Sequence, residues 1–163
     1  MFYGRINKTD IANGTGVRVS LFVSGCRNRC KGCFQPETWS FTYGERFNMA
    51  TLSEILEALS PEYISGLTVL GGDPLEPENY YHVLELCKEV KRIYPNKTIW
   101  IYTGYSYEAY AYSKLMEYID VLVDGKFIEE LKDITLKFKG SSNQRIIDIQ
   151  KTREVGEVVL YET

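Results

Sequence analysis

Cys26-Arg27-Asn28-Arg29-Cys30-Lys31-Gly32-Cys33 follows directly on the apolar run Val19-Ser20-Leu21-Phe22-Val23. Three of the chain's four cysteines fall within this stretch, spaced C-x3-C-x2-C. A closed zinc site or a simple electron carrier wants a fourth ligand, and the loop offers none. Three thiolates do suit three irons of a cubane 4Fe-4S cluster, with the fourth iron open to a non-protein ligand. An open position separates a catalytic metal centre from a closed structural one. The competing reading is a zinc knuckle completed by Cys87 or His82. Cys87 falls on the apolar stripe of a predicted helix and His82 on its charged face, so neither is expected at the loop.

Upstream of the loop, Asp10–Gly16 is rich in turn formers, and a strand is predicted over about Val17 to Ser24. Downstream, a polar continuation runs to about Met49. Thr51-Leu52-Ser53-Glu54 reads as a capping box, with Leu52, Ile55, Leu56 and Leu59 on one face of the helix it opens. A short strand, Leu67–Leu70, ends at Gly71-Gly72-Asp73-Pro74. A helix from about Pro77 to Tyr94 places Tyr80, Val83, Leu84, Cys87 and Val90 on one stripe. A strand over Thr98–Tyr102 ends at Thr103-Gly104, a weaker helix covers about Tyr107 to Tyr118, and a strand over Asp120–Val123 ends at Asp124-Gly125-Lys126. A further strand is expected at Ile146–Ile149, and an extended edge piece at Val158–Tyr161.

Strands alternating with helices of this length indicate parallel βαβ units. A closed eight-unit barrel needs about 250 residues, so 163 residues suit a shorter, open or partial α/β barrel. In such folds the chemistry gathers at the carboxyl ends of the strands. The cysteine loop, Gly71-Gly72-Asp73, Thr103-Gly104 and Asp124-Gly125-Lys126 all sit there. Each of the last three has an ordinary explanation as turn or surface chemistry. Their coincidence at strand ends points to one composite site.

The chain reads as a single domain over residues 1–163, with no repeat or linker. A net charge of −3 argues against a nucleic-acid binder. Met1–Asn7 lacks the apolar core of a signal peptide, and no run approaches the roughly 20 apolar residues of a membrane span. A cytoplasmic location is therefore expected, where thiols stay reduced and a cysteine cluster holds metal or does redox work. Arg27, Arg29 and Lys31 make the loop locally basic. Such charges are usually solvated, but they could also offset a cluster's charge or receive an acidic reductase.

The C-x3-C-x2-C loop and the strand-end Gly-Gly-acid motif resemble the radical S-adenosylmethionine superfamily. More closely, the chain is similar to the activating enzymes of anaerobic ribonucleoside-triphosphate reductase. The resemblance runs from about residue 3 to 149, through Asp10–Arg18, Leu21–Cys26, Thr38-Trp39, Gly71–Leu75, Ile99–Tyr105, Val121–Phe127 and Gly140–Gln144. It implies a partial barrel of the radical S-adenosylmethionine type, with Cys26, Cys30 and Cys33 as cluster ligands and S-adenosylmethionine chelating the fourth iron. One electron from the cluster would cleave that cofactor to a 5′-deoxyadenosyl radical, which takes a Cα hydrogen from a glycine on the reductase's large subunit. An electron donor such as a flavodoxin is implied.

The same resemblance puts the backbone of Gly32, Cys33 and Phe34 at the adenine, and Gly71, Gly72 and Asp73 at the methionyl amine. Thr103, Asp124 and Lys126 would make the remaining cofactor contacts, and Asn13 and Gly14 would lie where the partner's glycine enters. Gly32 and Asp73 replace the aromatic and the glutamate common elsewhere in the superfamily; both variants suit the reductase-activating subgroup. Other small members of the superfamily, such as a pyruvate formate-lyase-type activase or a small-molecule synthase, are the alternative. From a different class, the alternative is a non-catalytic iron-sulfur or zinc module.

Overall fold

In a computed structural model, residues 1–34 and 36–162 are described. Among these residues, seven strands form one open sheet in the order β3-β1-β2-β4-β5-β6-β7. They are β1 (Phe2–Asp10), β2 (Val17–Val23), β3 (Glu45–Arg46), β4 (Ile64–Gly71), β5 (Thr98–Tyr102), β6 (Val121–Asp124) and β7 (Arg145–Asp148). β2, β4, β5 and β6 pair in parallel at the centre, while β1, β3 and β7 add antiparallel edges. The expected parallel βαβ core is present.

The central strands are buried on both faces, as parallel strands are. The period of two shows in β5. Ile99 and Ile101 join the main core, whereas Trp100 packs with Val121 and Val123 on the other face. The main core is closed by helices α1 (Met49–Ala58) and α2 (Pro77–Ile93), which contribute Ile55, Val83, Leu84, Cys87 and Val90. The opposite face carries an unusual residue. Arg18 is fully buried, and its guanidinium donates to the hydroxyls of Thr68 and Thr98 and to the carbonyls of Thr15, Leu67 and Thr98. It thereby holds the Ala12–Gly16 turn down against that face.

Four expectations need correction. The first strand, β1, was not foreseen because only Tyr3 and Asp10 of its residues are buried; backbone pairing, not an apolar stripe, keeps it in the sheet. Helix α1 starts earlier than predicted. Asn48 is its cap, accepting from the Thr51 N–H, while Thr51 Oγ1 accepts from the Asn48 N–H. Glu54 reaches Lys8 instead. The helix expected over Tyr107–Tyr118 is two pieces, α3 (Tyr107–Tyr110) and a 3-10 turn at Lys114–Glu117, separated by Ser113 in extended backbone. Finally, α4 (Ile149–Val155) occupies a stretch with no predicted element. It is too short to show a stripe but is capped by Asp148 and stopped by Gly156 in the left-handed region. The Val158–Tyr161 piece does lie along β7, through bonds between Asp148 and Val159 and between Tyr161 and Ile146.

Candidate metal centre

The cysteine loop leaves β2 between two backbone clamps. Gly25 and Cys26 donate to the carbonyls of Thr38 and Trp39, while Gly72 and Asp73 donate to those of Val23 and Gly25. The second clamp brings two backbones so close that a Cβ on Gly72 would lie 2.6 Å from the Gly25 oxygen. Only glycine fits there. This explains why Thr38-Trp39 and Gly72-Asp73 accompany the cysteines in one chain.

Two buried carboxylates then shape the loop. Asp73 is 1% exposed. Its Oδ1 accepts from Leu75 N and the Thr103 hydroxyl, and its Oδ2 accepts from Asn28 Nδ2 and Gly104 N. Burial, only partly countered by these donors, pushes its carboxyl up to about 6. Glu76, fully buried at the start of α2, accepts from the Arg27 backbone N–H and from the Tyr105 hydroxyl. The two carboxylates thus tie the loop to the ends of β4 and β5.

Cys26, Cys30 and Cys33 border one cavity of about 510 Å³. Phe34, Gly71, Gly72, Asp73, Thr103 and Asn13 border it too. Phe22, Leu70 and Tyr102 form its floor on the sheet, and Ile134, Leu136 and Phe138 cover it from the segment after β6. The gathering of strand ends predicted from the sequence is therefore real for β2, β4 and β5, and Gly125 brings the end of β6 to the same cavity.

It is not complete. Asp124 is buried away from the cavity lining, where Arg145 and the Tyr107 N–H take both of its oxygens. Its task is to cap α3 and pair with β7. Lys126 is exposed and outside the lining, although its charge acts on Cys30. Gly32 and Gly14 are also outside the lining; Gly14 packs against Arg18 and Trp100. Asp73 differs from expectation in another way. A carboxylate has about four acceptor directions, and all four are used within the protein.

The basic residues of the loop are engaged locally. Arg27 pairs with Glu78 and Glu76, Lys31 with Glu129, and Arg29 stands over the Trp39 ring. Sequence reasoning missed Arg5, Asn28, Tyr102 and Glu76. None carries a local signal, because each acquires its place only when distant strands pair.

The remaining ligand candidates are elsewhere. Cys87 is fully buried in the helix core, and burial pushes its thiol up to about 12. His82 is exposed on the outer face of α2. Among the described residues, no three Cys, His, Asp or Glu side chains close on a point that could hold a single ion. A cubane does not require that, since each thiolate binds its own iron. Burial also raises the Cys26 and Cys30 thiols, but N–H groups of Asn28 and Arg29 reach Cys26, and that of Phe127 reaches Cys30. Three soft donors on one loop, each beside a cavity, fit an iron-sulfur cluster.

Comparison with known proteins agrees. Residues 12–147 match the model of a 4Fe-4S single cluster domain. The anaerobic ribonucleoside-triphosphate reductase-activating protein of Enterobacteria phage T4 is 43% identical over 146 residues, covering 90% of this chain and 93% of that protein. The protein of that name from Vibrio cholerae is 44% identical over 150 residues, with 90% and 97% covered. The Escherichia coli protein is 40% identical over 148 residues, with 88% and 96% covered. This chain belongs to that family of activating proteins. The family match spans the cysteine loop, the Gly71-Gly72-Asp73 turn and the Thr103 strand end together. Among the described residues of this family member, no helix is long and apolar enough to cross a membrane.

Proposed function

We propose that this chain activates anaerobic ribonucleoside-triphosphate reductase as a radical S-adenosylmethionine enzyme, its open sheet serving as a partial barrel of that type. Cys26, Cys30 and Cys33 hold three irons of a 4Fe-4S cluster and leave the fourth for S-adenosylmethionine. When bound, the cluster supplies the electron that cleaves this cofactor to the 5′-deoxyadenosyl radical, which takes a Cα hydrogen from a glycine of the reductase's large subunit. The observation that carries the reading is the shared cavity. The three thiols border the same space as the Gly71-Gly72-Asp73 and Thr103 strand ends.

The chain's own residues do the positioning. Glu76 and Asp73 fix the loop that presents the thiols, so the donors are set before a cluster arrives. Gly71 and Gly72 let the end of β4 lie directly against the Val23 and Gly25 backbone, which brings this strand end to the methionyl end of the cofactor. Thr103 holds Asp73 in place, and Cys33 with Phe34 borders the adenine side. The Phe34 ring leans on Phe127, with ring centroids 5.0 Å apart, and screens the cavity mouth. Asn13, which also borders the cavity, is where the partner's glycine enters. Asp124 and Lys126 have no part in this reading. The location is cytoplasmic and the electron donor a flavodoxin-like protein.

Anaerobic reconstitution with iron and sulfide tests the proposal. A dark protein that cleaves S-adenosylmethionine under a strong reductant, and yields a glycyl radical signal on the reductase's large subunit, is the expected result. A colourless protein holding one zinc would overturn it. Cleavage without a glycyl radical on the reductase would point to another member of the superfamily.

A further inference from the structure

Asn28 occupies an unusual position between a proposed cluster ligand and a buried carboxylate. Its Nδ2 lies 3.6 Å from Cys26 Sγ and 2.9 Å from Asp73 Oδ2. The first distance suits sulfur, which is larger than oxygen. Chemistry decides how the amide is turned. Ionised Asp73 only accepts hydrogen bonds, so the group facing it must be the NH2 and not the amide oxygen. That NH2 has a second hydrogen, and the Cys26 sulfur lies within its reach.

The surroundings hold this arrangement. Leu75 N, Thr103 Oγ1 and Gly104 N occupy the other acceptor directions of Asp73, which keeps its carboxylate from rotating away from Asn28. Gly104 leaves the room: a Cβ there would meet Asn28 Nδ2 at 2.5 Å and its Cγ at 2.9 Å. On the loop itself, Arg29 takes φ +45°, a left-handed conformation uncommon for a residue with a side chain. Asn28 thus reaches Cys26 with a side-chain donor that Asp73 anchors from outside the loop.

We infer that Asn28 is a positioning residue for the cluster, tying the Cys26 thiolate to the Asp73 carboxylate and raising the cluster's reduction potential. The inference rests on Cys26 being a cluster ligand. An N–H donated to a ligand sulfur stabilises negative charge, and the reduced cluster carries more of it than the oxidised one. Hydrogen bonds to the sulfurs are among the levers that set such potentials. Removing the donor should therefore lower the potential without removing a ligand.

The test uses the protein reconstituted with its cluster. Asn28→Leu keeps the approximate volume and removes the donor. Its midpoint potential, read by electron paramagnetic resonance during a redox titration, is expected to shift downward at unchanged iron content. Gly104→Ala keeps the amide but displaces it, and should shift the potential in the same direction. Wild-type protein labelled with a magnetic nitrogen isotope at the asparagine side-chain amide should show a nitrogen coupling to the reduced cluster, and Asn28→Leu should lose it. A wild-type cluster with no such coupling overturns the inference, as does a full-iron Asn28→Leu protein with unchanged potential. If Asn28→Leu takes up no iron, the wild-type coupling and the Gly104→Ala potential decide. A wild-type protein that takes up no cluster at all fails the ligand assignment itself, a result distinct from a bound cluster without the coupling.

Discussion

The Thr103 hydroxyl donates to Asp73 Oδ1 at 2.8 Å, fastening the end of β5 to the end of β4 beside the cysteine loop. The same carboxylate reaches Asn28 on the loop, so one buried charge organises three segments. Burial of that charge has a consequence for stability. The folded carboxyl titrates at about 6, against an ordinary value of 3.8. A group with a raised folded value contributes stability at low pH and loses it as the pH rises.

For the cluster-free protein, the stability of wild type relative to Asp73→Asn should fall as pH rises from about 4 to about 6, and level off above 7. The limiting size of the effect is about 3 kcal/mol. Urea midpoints of both proteins across this range measure it. A constant difference over the whole interval would show that burial of Asp73 is not what governs its proton.

Gly72→Ala places a Cβ 2.6 Å from the Gly25 oxygen and 2.8 Å from its nitrogen. Both contacts are with backbone, so no side chain can move aside. We expect a loss of about 1–3 kcal/mol and several-fold weaker iron uptake, because the clamp on the loop opens. Iron analysis after reconstitution, with a urea melt, checks both effects.

Arg18→Met should act on the other face of the sheet. It removes the donors to Thr68, Thr98, Thr15 and Leu67 from a fully buried site. Acceptors left without partners make the expected cost about 3 kcal/mol or more. Hydrogen exchange should rise most in residues 12–16, whose turn Arg18 holds through the Thr15 carbonyl. Uniform loosening over the chain would contradict that local role.

Cys87→Ala tests the division between loop and core cysteines. Cys87 is fully buried among the apolar side chains of α2 and the sheet. Its replacement should cost about 1 kcal/mol and leave iron content unchanged. Alanine at Cys26, Cys30 or Cys33 should deplete the iron. Iron loss in Cys87→Ala would mean that the fourth cysteine takes part in binding.

The chain's own pattern was enough to define β2, β5 and α2 and to separate Cys87 from the loop cysteines. Each of these rests on local periodicity or spacing, which a linear sequence carries directly. The boundary of α1 was misread because two capping pairs overlap. Asn48 with Thr51 wins over Thr51 with Glu54 once Thr51 is buried and Glu54 faces Lys8. The strand β1 escaped notice because its few apolar residues, Phe2, Tyr3 and Ile6, do not alternate and its place depends on backbone bonds to β2.

That three thiols on one loop follow a strand, and that glycines and an acid end the next predicted strand, is legible in the linear chain. What those residues do to one another depends on the folded arrangement. Asp73 turned out to be surrounded by four donors, Asp124 was drawn off by Arg145, and Asn28 and Glu76 became fasteners of the loop. The reason is physical. A buried charge is stable only where partners from several strands converge on it, and that convergence is set by sheet register, which local sequence does not carry.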